Sequence, residues 1–420
     1  MTETRRPLMP FDQALRSLLE KAEAIGEFEL ISTFDADGRV LAQDLVSELL
    51  VPPNDNSSMD GYAVRCEDLS QSDLVLQVTQ RIAAGSNGKP LETNSAARIF
   101  TGAPIPAGAD AVVMQEDCDV VNGGSGVRVK LRPEPGQWIR RAGEDVGKGS
   151  IVLSKGERLT PASLGLAASI GLDRLSVSRR PRVALFSTGD ELCMPGQVKP
   201  ENMLPGAIYN SNRFFLSTLL RRLGCEVTDL GIVPDQREAT IHAISKAAIE
   251  HDLILTSGGV SVGEEDHIKP AVMALGTLDL WQIAIKPGKP FAYGNIKKQA
   301  SDRNKASPTC HFLGLPGNPV SSYVTFLLLV RPFVLKLQGA NRIQSERMQL
   351  PAHFDWLKAD RRREFLRVKR NAAGGLDLFK NQSSGVLTSV VWADGLIDNP
   401  AGQIIRKGDA VQFLALQELM

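Results

Sequence analysis

Apolar segments with the spacing of strands alternate with segments of helical spacing between residues 183 and 337. The strand-like runs are short, as in buried parallel strands, and the intervening segments repeat apolar side chains every three or four residues. The predicted strands cover residues 183–187, 227–233, 253–255 and 312–315, and the predicted helices cover residues 211–223, 238–250 and 321–337. Asn210 or Ser211 is expected to cap the first helix, and Gly224 to end it. This alternation predicts a doubly wound α/β domain with a parallel sheet.

The rest of the chain carries weaker patterns. Residues 10–25 and 161–170 have helical spacing, which predicts two packing helices. Residues 73–130 consist of short alternating segments separated by Gly and Pro, so we predict a small, mostly β domain there. Residues 295–309 are polar and predict a solvated loop, and the basic run at residues 358–370 predicts a solvated strand face.

Three of the predicted strands end in acids or hydroxyls. The strand ends carry Ser187-Thr188-Gly189-Asp190-Glu191, Val233-Pro234-Asp235 and Ser257-Gly258-Gly259. A single acid at a strand end is usually a helix cap. Three neighbouring ends of this kind indicate a ligand site, because open α/β sheets bind ligands at the carboxyl ends of their strands.

Further charged residues follow the third strand. Glu264, Glu265 and Asp266 lie in the next loop, and Lys286 and Lys289 stand between prolines that restrict the backbone. Carboxylates are ligands that Mg²⁺ prefers, whereas hydroxyls, free main-chain amides and lysines suit phosphate or another oxyanion. Residues 382–385, Gln-Ser-Ser-Gly, predict either a helix cap or a second anion-binding turn.

Length, charge and cysteine content narrow the class of protein. A chain of 420 residues predicts two to four domains. Its 48 basic and 48 acidic residues balance, which argues against a nucleic-acid or membrane-surface binder. Five widely spaced cysteines and the lack of an apolar signal core predict a reduced, cytoplasmic protein. The longest apolar run, residues 323–330, is too short to span a bilayer.

Three common catalytic patterns fit poorly. Residues 142–149 approach a P-loop, but Ala142 replaces its first Gly and Gly149 replaces the Ser or Thr that would bind Mg²⁺. Residues 259–263 match the Gly-x-Ser-x-Gly elbow of α/β-hydrolases, but three acids and a proline follow where that elbow needs a helix. The five histidines lack the spacing of zinc ligands.

Seven motifs in order resemble the molybdopterin molybdenumtransferase family, whose members also form the E domain of gephyrin. The motifs lie at residues 56–63, 101–106, 143–145, 187–192, 257–261, 286–290 and 314–319. The similarity extends over nearly the whole chain and is loosest in the C-terminal part.

The resemblance implies a four-part homodimer. The implied parts are a helical, elongated dimerisation part at residues 1–45 and 149–178, an inserted mostly β domain at 46–148, an α/β molybdopterin-binding domain at 179–337, and a C-terminal β domain at 338–420. The implied active site is a cleft between the α/β domain of one subunit and the inserted β domain of the other. Loops that are distant in sequence would therefore meet only in the dimer.

The resemblance also implies an activity and a set of site residues. Family members insert molybdate into adenylylated molybdopterin, hydrolyse its pyrophosphate link with Mg²⁺, and release AMP and molybdenum cofactor. The implied catalytic residues are Asp60, Thr101, Asp145, Glu191, Asp235 and Asp266, of which the first three come from the other subunit. The expected ligand-binding residues are Ser257, Gly258, Gly259, Ser261, Lys286, Lys289 and Ser384, and the expected metal ligands are Asp190, Glu191, Asp235 and Asp266.

Two other functions stay open at this stage. A molybdopterin adenylyltransferase shares the α/β domain, although it usually has a Thr-Gly-Gly-Thr-Gly loop where this chain has Ser257-Gly258-Gly259-Val260-Ser261. A gephyrin-like scaffold is the other alternative. The sequence decides neither molybdate over tungstate, nor the general base, nor whether the adenylyltransferase and molybdoenzyme acceptors bind this protein.

Overall fold

The computed structural model describes residues 8–70, 74–260, 267–298 and 309–420. One of its sheets has six strands, of which the first four in the order below are mutually parallel. The strands, in spatial order, are Glu226–Val233, Arg182–Thr188, Leu253–Ser257, Thr309–Leu315, Pro290–Lys297 and Gly276–Gln282. The predicted parallel α/β sheet is thus confirmed, and the structure adds an antiparallel extension, the pair Gly276–Gln282 and Pro290–Lys297.

Helices cover both faces of this sheet. Successive side chains of a strand point to opposite faces, so Val183 and Leu185 pack in one core while Ala184 and Phe186 pack in the other. The first core is covered by the helices Asn212–Arg222 and Pro319–Leu337, and the second by Arg237–Glu250 and Ile268–Leu275. This arrangement is the predicted doubly wound fold.

The first of these helices begins and ends as the sequence predicts. Asn210 Oδ1 accepts a hydrogen bond from the Arg213 N–H at 3.2 Å, so Asn210 rather than Ser211 caps the helix. Gly224 follows the last turn with a φ of +82°, a conformation in which glycine carries no side-chain penalty.

The helix Pro319–Leu337 is long and apolar enough to cross a membrane, but 94% of its apolar window is buried inside the protein. It is therefore a core helix in this structure. Its middle, Phe326–Val330, is a π-helical segment that precedes Pro332. Proline has no N–H to continue the regular ladder, and π segments occur where that ladder is interrupted.

The inserted region forms a second six-stranded sheet. Its strands, in spatial order, are Ala111–Met114, Gly61–Val64, Ser95–Ile99, Val75–Ile82, Gly126–Val129 and Cys118–Val121. Small apolar cores lie on its two faces. A mostly β region is therefore present where short alternating segments predicted one.

The segments before and after this sheet pair with each other. Phe28–Ser32 pairs antiparallel with Arg174–Ser178, and Leu45–Val46 pairs with Ile151–Leu153. The helix Pro161–Ser169 packs against them and is capped by Thr160, whose hydroxyl accepts from the Ser163 N–H. The N-terminal helix Phe11–Glu20 is shorter than predicted and packs in the main core, with Phe11, Ala14 and Leu18 buried.

The C-terminal region adds a third six-stranded sheet, which includes one short strand from the α/β region. Its strands, in spatial order, are Ile285–Lys286, Arg363–Arg370, Gly395–Asn399, Ala410–Ala415 and Met348–Pro351, and Leu376–Leu378 pairs with Arg363–Arg370. The prediction of a solvated basic strand is wrong for Glu364 and Arg367, which are buried, and holds for Lys369 and Arg370.

Several short elements complete the described chain. They are the strand pairs Asn56–Ser57 with Ile139–Arg140 and Leu192–Cys193 with Ile208–Tyr209, the helices Thr388–Trp392 and Leu416–Leu419, and the 3₁₀ turns Thr33–Asp35, Asp68–Ser70, Gln115–Asp117, Asn122–Gly124 and Pro200–Asn202. All five cysteines are unpaired thiols. The predicted domain boundaries stay a prediction.

Candidate active site

A cleft of about 950 Å³ lies where the carboxyl ends of the central strands meet the C-terminal sheet. Six of the residues predicted for the site line it, namely Glu191, Ser257, Gly258, Lys286, Lys289 and Ser384. These residues come from four separate loops. The structure therefore brings together most of the predicted anion-binding groups and one predicted acid.

Ser257 and Gly258 form the floor at the end of the strand Leu253–Ser257. The side-chain amide of Asn212 donates hydrogen bonds to Ser257 Oγ and to the Gly317 carbonyl, both at 2.7 Å. Gly258 has a φ of +98°, and a Cβ there would lie 3.0 Å from the Thr188 carbonyl oxygen. The positive φ and this close approach favour glycine, and the Gly258 N–H donates to the Leu315 carbonyl at 3.0 Å, which joins the ends of two adjacent strands.

The two predicted lysines have different surroundings. The Lys286 ammonium lies 2.9 Å from Glu364 Oε1 and 3.3 Å from Asp360 Oδ2, so the C-terminal sheet compensates its charge. Lys289 is exposed, and its ammonium has no ion-pair partner among residues 8–70, 74–260, 267–298 and 309–420. Lys289 is therefore free to pair with an anionic ligand.

Gly288 fixes the loop between the lysines. Its φ is +112°, and a Cβ on it would lie 2.3 Å from Thr325 Oγ1 of the core helix. The loop consequently rests directly on that helix.

The C-terminal region closes the cleft with Arg362 and with the turn at residues 382–385. Arg362 forms two hydrogen bonds with Asp360, at 3.0 and 2.9 Å, which hold the pKa of the Asp360 carboxyl well below its usual range. The Ser384 carbonyl accepts from the Val320 N–H at 2.9 Å. That bond uses an amide of the first turn of the core helix, so the turn is anchored to the α/β region.

The predicted acids at the sheet edge are only partly assembled. Glu191 lines the cleft and folds back over Gly189, whose added Cβ would lie 2.5 Å from Glu191 Oε2. Asp190 is exposed, Asp235 is half-buried, and neither lines the cleft. In the described part of the chain, no group of three or more His, Cys, Asp or Glu side chains could hold a metal ion.

Some predicted residues fall elsewhere. Ser261 and Asp266, with Glu264 and Glu265, lie outside the described residues. Gly259 has a φ of +64° but does not line the cleft.

Asp60, Thr101 and Asp145, which are expected to come from a second subunit, lie on the inserted β region and do not line this cleft. Thr101 donates to Asp60 Oδ1 through its N–H at 2.8 Å and its hydroxyl at 2.9 Å. These bonds stabilise the carboxylate and lower the pKa of Asp60. Asp145 is exposed at the end of a loop whose N–H groups bond to the carbonyls of Val51 and Pro52.

Several cleft residues were not predicted from the sequence as site residues. They include Tyr209, Asn212, Asn318 and Arg362. Asn318 lies in the Pro-Gly-Asn-Pro turn, which already stood out as a motif, so a signal was available for it. Arg362 lay within a basic run, and such a run looks the same whether it is solvated or faces a ligand.

Three protein-family models match successive parts of the chain. Residues 9–171 match the MoeA N-terminal region, domains I and II. Residues 184–336 match the "Probable molybdopterin binding domain", and residues 349–416 match the MoeA C-terminal region, domain IV.

Curated relatives match over most of their lengths. A molybdopterin molybdenumtransferase of Haemophilus influenzae is 44% identical over 83% of this chain and 81% of its own length. A molybdopterin molybdenumtransferase of a Nostoc species is 34% identical over 98% of this chain and 96% of its own. Gephyrin of Dictyostelium discoideum is 35% identical over 79% of this chain, which spans half of that longer protein.

Solved structures also match over nearly the whole chain. The molybdopterin biosynthesis MoeA protein of Pyrococcus horikoshii OT3 superimposes with a TM-score of 0.83 at 29% identity, covering 97% of this chain and 100% of that one. A molybdenum cofactor biosynthesis protein of Pyrococcus furiosus matches with a TM-score of 0.58 at 21% identity, covering 97% and 100%, which supports the fold alone.

Proposed function

Because the chain belongs to the molybdopterin molybdenumtransferase family and is a transferase of molybdenum cofactor biosynthesis, we propose that it inserts molybdate into adenylylated molybdopterin in a Mg²⁺-dependent reaction. The reaction hydrolyses the pyrophosphate link and releases AMP and molybdenum cofactor. The observation that carries this proposal is the single cleft in which Ser257, Gly258, Lys289 and Ser384 converge.

The distribution of charge in the cleft supports an anionic substrate. Lys289 carries a positive charge without an ion-pair partner in the described ranges, and Ser257 places a hydroxyl at a strand end. Lysines and hydroxyls at such an edge suit phosphate and other oxyanions. Asn212 orients the Ser257 hydroxyl, so it sets how the hydroxyl meets the ligand.

The acids that follow the neighbouring strands are of the ligand type that Mg²⁺ prefers. Mg²⁺ keeps several waters and is usually held by one or two carboxylates together with substrate phosphates, so a preformed cluster of three side chains is not required. Asp190, Glu191, Asp235 and Asp266 are the proposed ligands. When bound, the ion would neutralise charge that develops on the phosphate oxygens. The chain's own contribution is to hold Glu191 and Asp235 just beyond the ends of two adjacent parallel strands.

We propose further that the protein is a homodimer whose active site is shared between subunits. The proposal is supported by large apolar side chains that are exposed on the paired N-terminal strands and the turns beside them, namely Phe28, Leu30, Phe34, Leu49 and Ile151. Phe34 is 97% exposed, and several such side chains in one region of a protein are typical of an interaction site. Asp60, Thr101 and Asp145 of the partner subunit would then face the cleft.

Release of AMP is the measurement that tests the proposed reaction. The purified protein is mixed with adenylylated molybdopterin, with and without molybdate and Mg²⁺. We expect AMP to be released only when both molybdate and Mg²⁺ are present. Consumption of ATP and free molybdopterin would instead establish the adenylyltransferase, and binding without turnover would favour a gephyrin-like scaffold role. Tungstate in place of molybdate measures the preference between the two oxyanions.

The proposed cellular location is the cytoplasm. It is supported by five cysteine thiols, none of which is paired and four of which are buried. The adenylyltransferase that makes the substrate and the molybdoenzymes that receive the product are the proposed transient partners.

A further inference from the structure

Two arginines stand opposite each other on the inserted β sheet. Arg81 and Arg98 are Cα partners in the parallel pair formed by the strands Val75–Ile82 and Ser95–Ile99. Adjacent strands lie about 4.8 Å apart, so two like charges at such positions repel each other. In the part of the chain that the structure describes, neither guanidinium forms an ion pair. The sheet therefore carries two neighbouring positive charges that no described carboxylate neutralises by direct contact.

The ring of Phe100 holds both guanidiniums. The central guanidinium carbon lies 4.7 Å from the ring centroid in Arg81 and 4.6 Å from it in Arg98. An aromatic face attracts a cation and offers a planar guanidinium a surface on which to stack. Phe100 is half-buried, whereas Arg81 is exposed, so the ring restricts a side chain that solvent would otherwise leave mobile.

The two arginines differ in their hydrogen bonds. Arg98 donates to the Gly61 carbonyl at 2.8 Å and to Gln115 Oε1 at 2.6 Å. The Arg81 guanidinium has no hydrogen-bond acceptor within the described ranges. Arg81 thus presents an exposed fork of donors whose orientation is set by a ring. Such a fork matches the oxygens of a phosphate group, and its restricted motion lowers the entropy lost on binding.

This arginine pair lies beside two of the residues expected to complete a shared active site. Gly61 is the Cα partner of Ile99, so the next residues, Asp60 and Phe100, lie at the same end of adjacent strands. Thr101 follows Phe100 directly and donates two hydrogen bonds to Asp60. A ligand that contacts Asp60 and Thr101 therefore meets the arginine pair as well.

We propose that Arg81, held by Phe100, binds the pyrophosphate link of the substrate that lies in the cleft of the other subunit. Arg98 is a positioning residue, which orients Phe100 and the turn at Gly61. This inference rests on the proposed function, because it requires a homodimer with a shared site and a substrate that carries phosphate. The inserted β region would then supply positive charge opposite Lys289.

Arg132 provides a matched control. It is exposed on the same inserted region, and within the described residues it forms no ion pair and lies over no aromatic ring. Its charge acts on Cys66, which lies beyond the end of the strand Gly61–Val64 that is opposite Asp60. The R132M variant therefore removes the same charge from the same region and leaves the Asp60 end unchanged.

The experiment compares the full-length wild type with R81M, F100L and R132M. Affinity for inorganic pyrophosphate is measured by calorimetry, the KM for adenylylated molybdopterin by AMP release, and stability by thermal unfolding. R81M should lose about 10-fold in pyrophosphate affinity, as expected for one charge-assisted contact, and its KM should rise similarly. F100L keeps the charge but loses the ring and should lose about 3-fold, whereas R132M should change by less than about 2-fold. R81M and R132M should unfold at the wild-type temperature, since both side chains are exposed.

The outcomes separate this inference from the proposed reaction. If R81M binds pyrophosphate as tightly as R132M, or if the wild type does not bind it, the inference is wrong, even where the wild type releases AMP. If the wild type releases no AMP but R81M binds pyrophosphate more weakly than R132M, the inference stands and the proposed reaction fails.

A mixed dimer of R81M with K289M tests which cleft Arg81 serves. If Arg81 serves the cleft of the other subunit, one site of this dimer carries both changes and the other carries neither, so half of the sites should bind pyrophosphate with wild-type affinity. Weakened binding at every site would mean that Arg81 does not act across the dimer, and would overturn the inference.

Discussion

The side-chain amide of Asn212 donates a hydrogen bond to Ser257 Oγ at 2.7 Å, at the carboxyl end of the strand Leu253–Ser257. The same amide donates to the Gly317 carbonyl at 2.7 Å, so it ties together the loops that follow two adjacent strands. Asn212 is 8% exposed and Ser257 is 3% exposed, and water therefore competes little for these bonds. The orientation of the Ser257 hydroxyl depends on a residue 45 positions earlier in the chain.

Replacement of Asn212 by Asp is expected to reduce activity more than stability. A carboxylate accepts but does not donate, so the bond to the Gly317 carbonyl is lost, and the Ser257 hydroxyl can only donate to the carboxylate instead of accepting from the amide. The lost buried bond of about 1 kcal/mol, the reoriented hydroxyl and the negative charge added beside an anion site together predict a loss of at least about 10-fold in kcat/KM for AMP release. The control is N341D, which removes a donor to the Lys155 carbonyl away from the cleft. Equal activity of the two variants would contradict the role assigned to Asn212.

The sequence predicted those parts of the site that depend on local pattern. Ser257 and Gly258 follow a buried strand, and Lys286 and Lys289 stand between prolines, so each could be recognised within a few residues. Asn212 could not, because at the start of a helix an asparagine predicts a cap, and its actual partner lies on another strand. The burial of Glu364 and Arg367 was missed for the same reason.

The fold, too, was predictable where local pattern sets it and was missed where distant partners set it. The parallel strands and the covering helices were predicted from their periodicity. The antiparallel pair Gly276–Gln282 and Pro290–Lys297 was missed. Its place in the sheet depends on Pro290–Lys297 pairing with Thr309–Leu315, which lies beyond a polar stretch. The extra strand Ile285–Lys286 in the C-terminal sheet also depends on a partner far along the chain.

The two lysines should be separable by experiment. K289M should weaken pyrophosphate binding by about 10-fold without lowering the unfolding temperature, because Lys289 is exposed and its ammonium has no ion-pair partner in the described ranges. K286M should also lower the unfolding temperature, since it leaves the Glu364 carboxylate, 1% exposed, without its cation. The double variant K286M/E364Q should recover much of that stability. If K286M is as stable as K289M, the ion pair does not contribute to folding.

Gly288→Ala tests whether the position of the lysine loop matters. The added Cβ would lie 2.3 Å from Thr325 Oγ1, so the loop must move away from the core helix. A displacement approaching 1 Å at the ligand predicts a loss of up to about 100-fold in kcat/KM. The control is G374A: Gly374 has a similar positive φ, +80°, but nothing lies within 4 Å of its added Cβ. A G288A variant no less active than G374A would contradict the prediction.

His311 should make stability depend on pH. Burial lowers the pKa of His311 to about 4 from its ordinary value of 6.5, and its Nδ1 lies 3.1 Å from the Tyr293 hydroxyl. Between these values the unfolded chain binds a proton that the folded protein does not, so stability is full above pH 6.5 and falls as the pH drops toward 4. The loss amounts to roughly 3 kcal/mol at most. Urea unfolding at pH 7, 6 and 5 should show a smaller pH dependence for H311N than for the wild type; equal slopes would rule out His311 as the cause.

Mixed dimers should reveal whether the active site is shared between subunits. At substrate concentrations below KM, D60N and K289M are each expected to lose about 10-fold or more in activity as homodimers. When the two chains are co-expressed with different tags and the mixed dimer is isolated, one of its two sites combines an intact cleft with an intact Asp60 of the partner subunit.

The mixed dimer should therefore recover about half of the wild-type activity, because a two-fold symmetric dimer has two equivalent sites and only one of them carries both changes. The matched control is the mixed dimer of K289M with N212D. Both of those changes lie in the cleft of the α/β region, so each site contains one of them and no activity should return. If the D60N and K289M pair also stays inactive, Asp60 acts on the cleft of its own chain or on none, and the shared site is wrong.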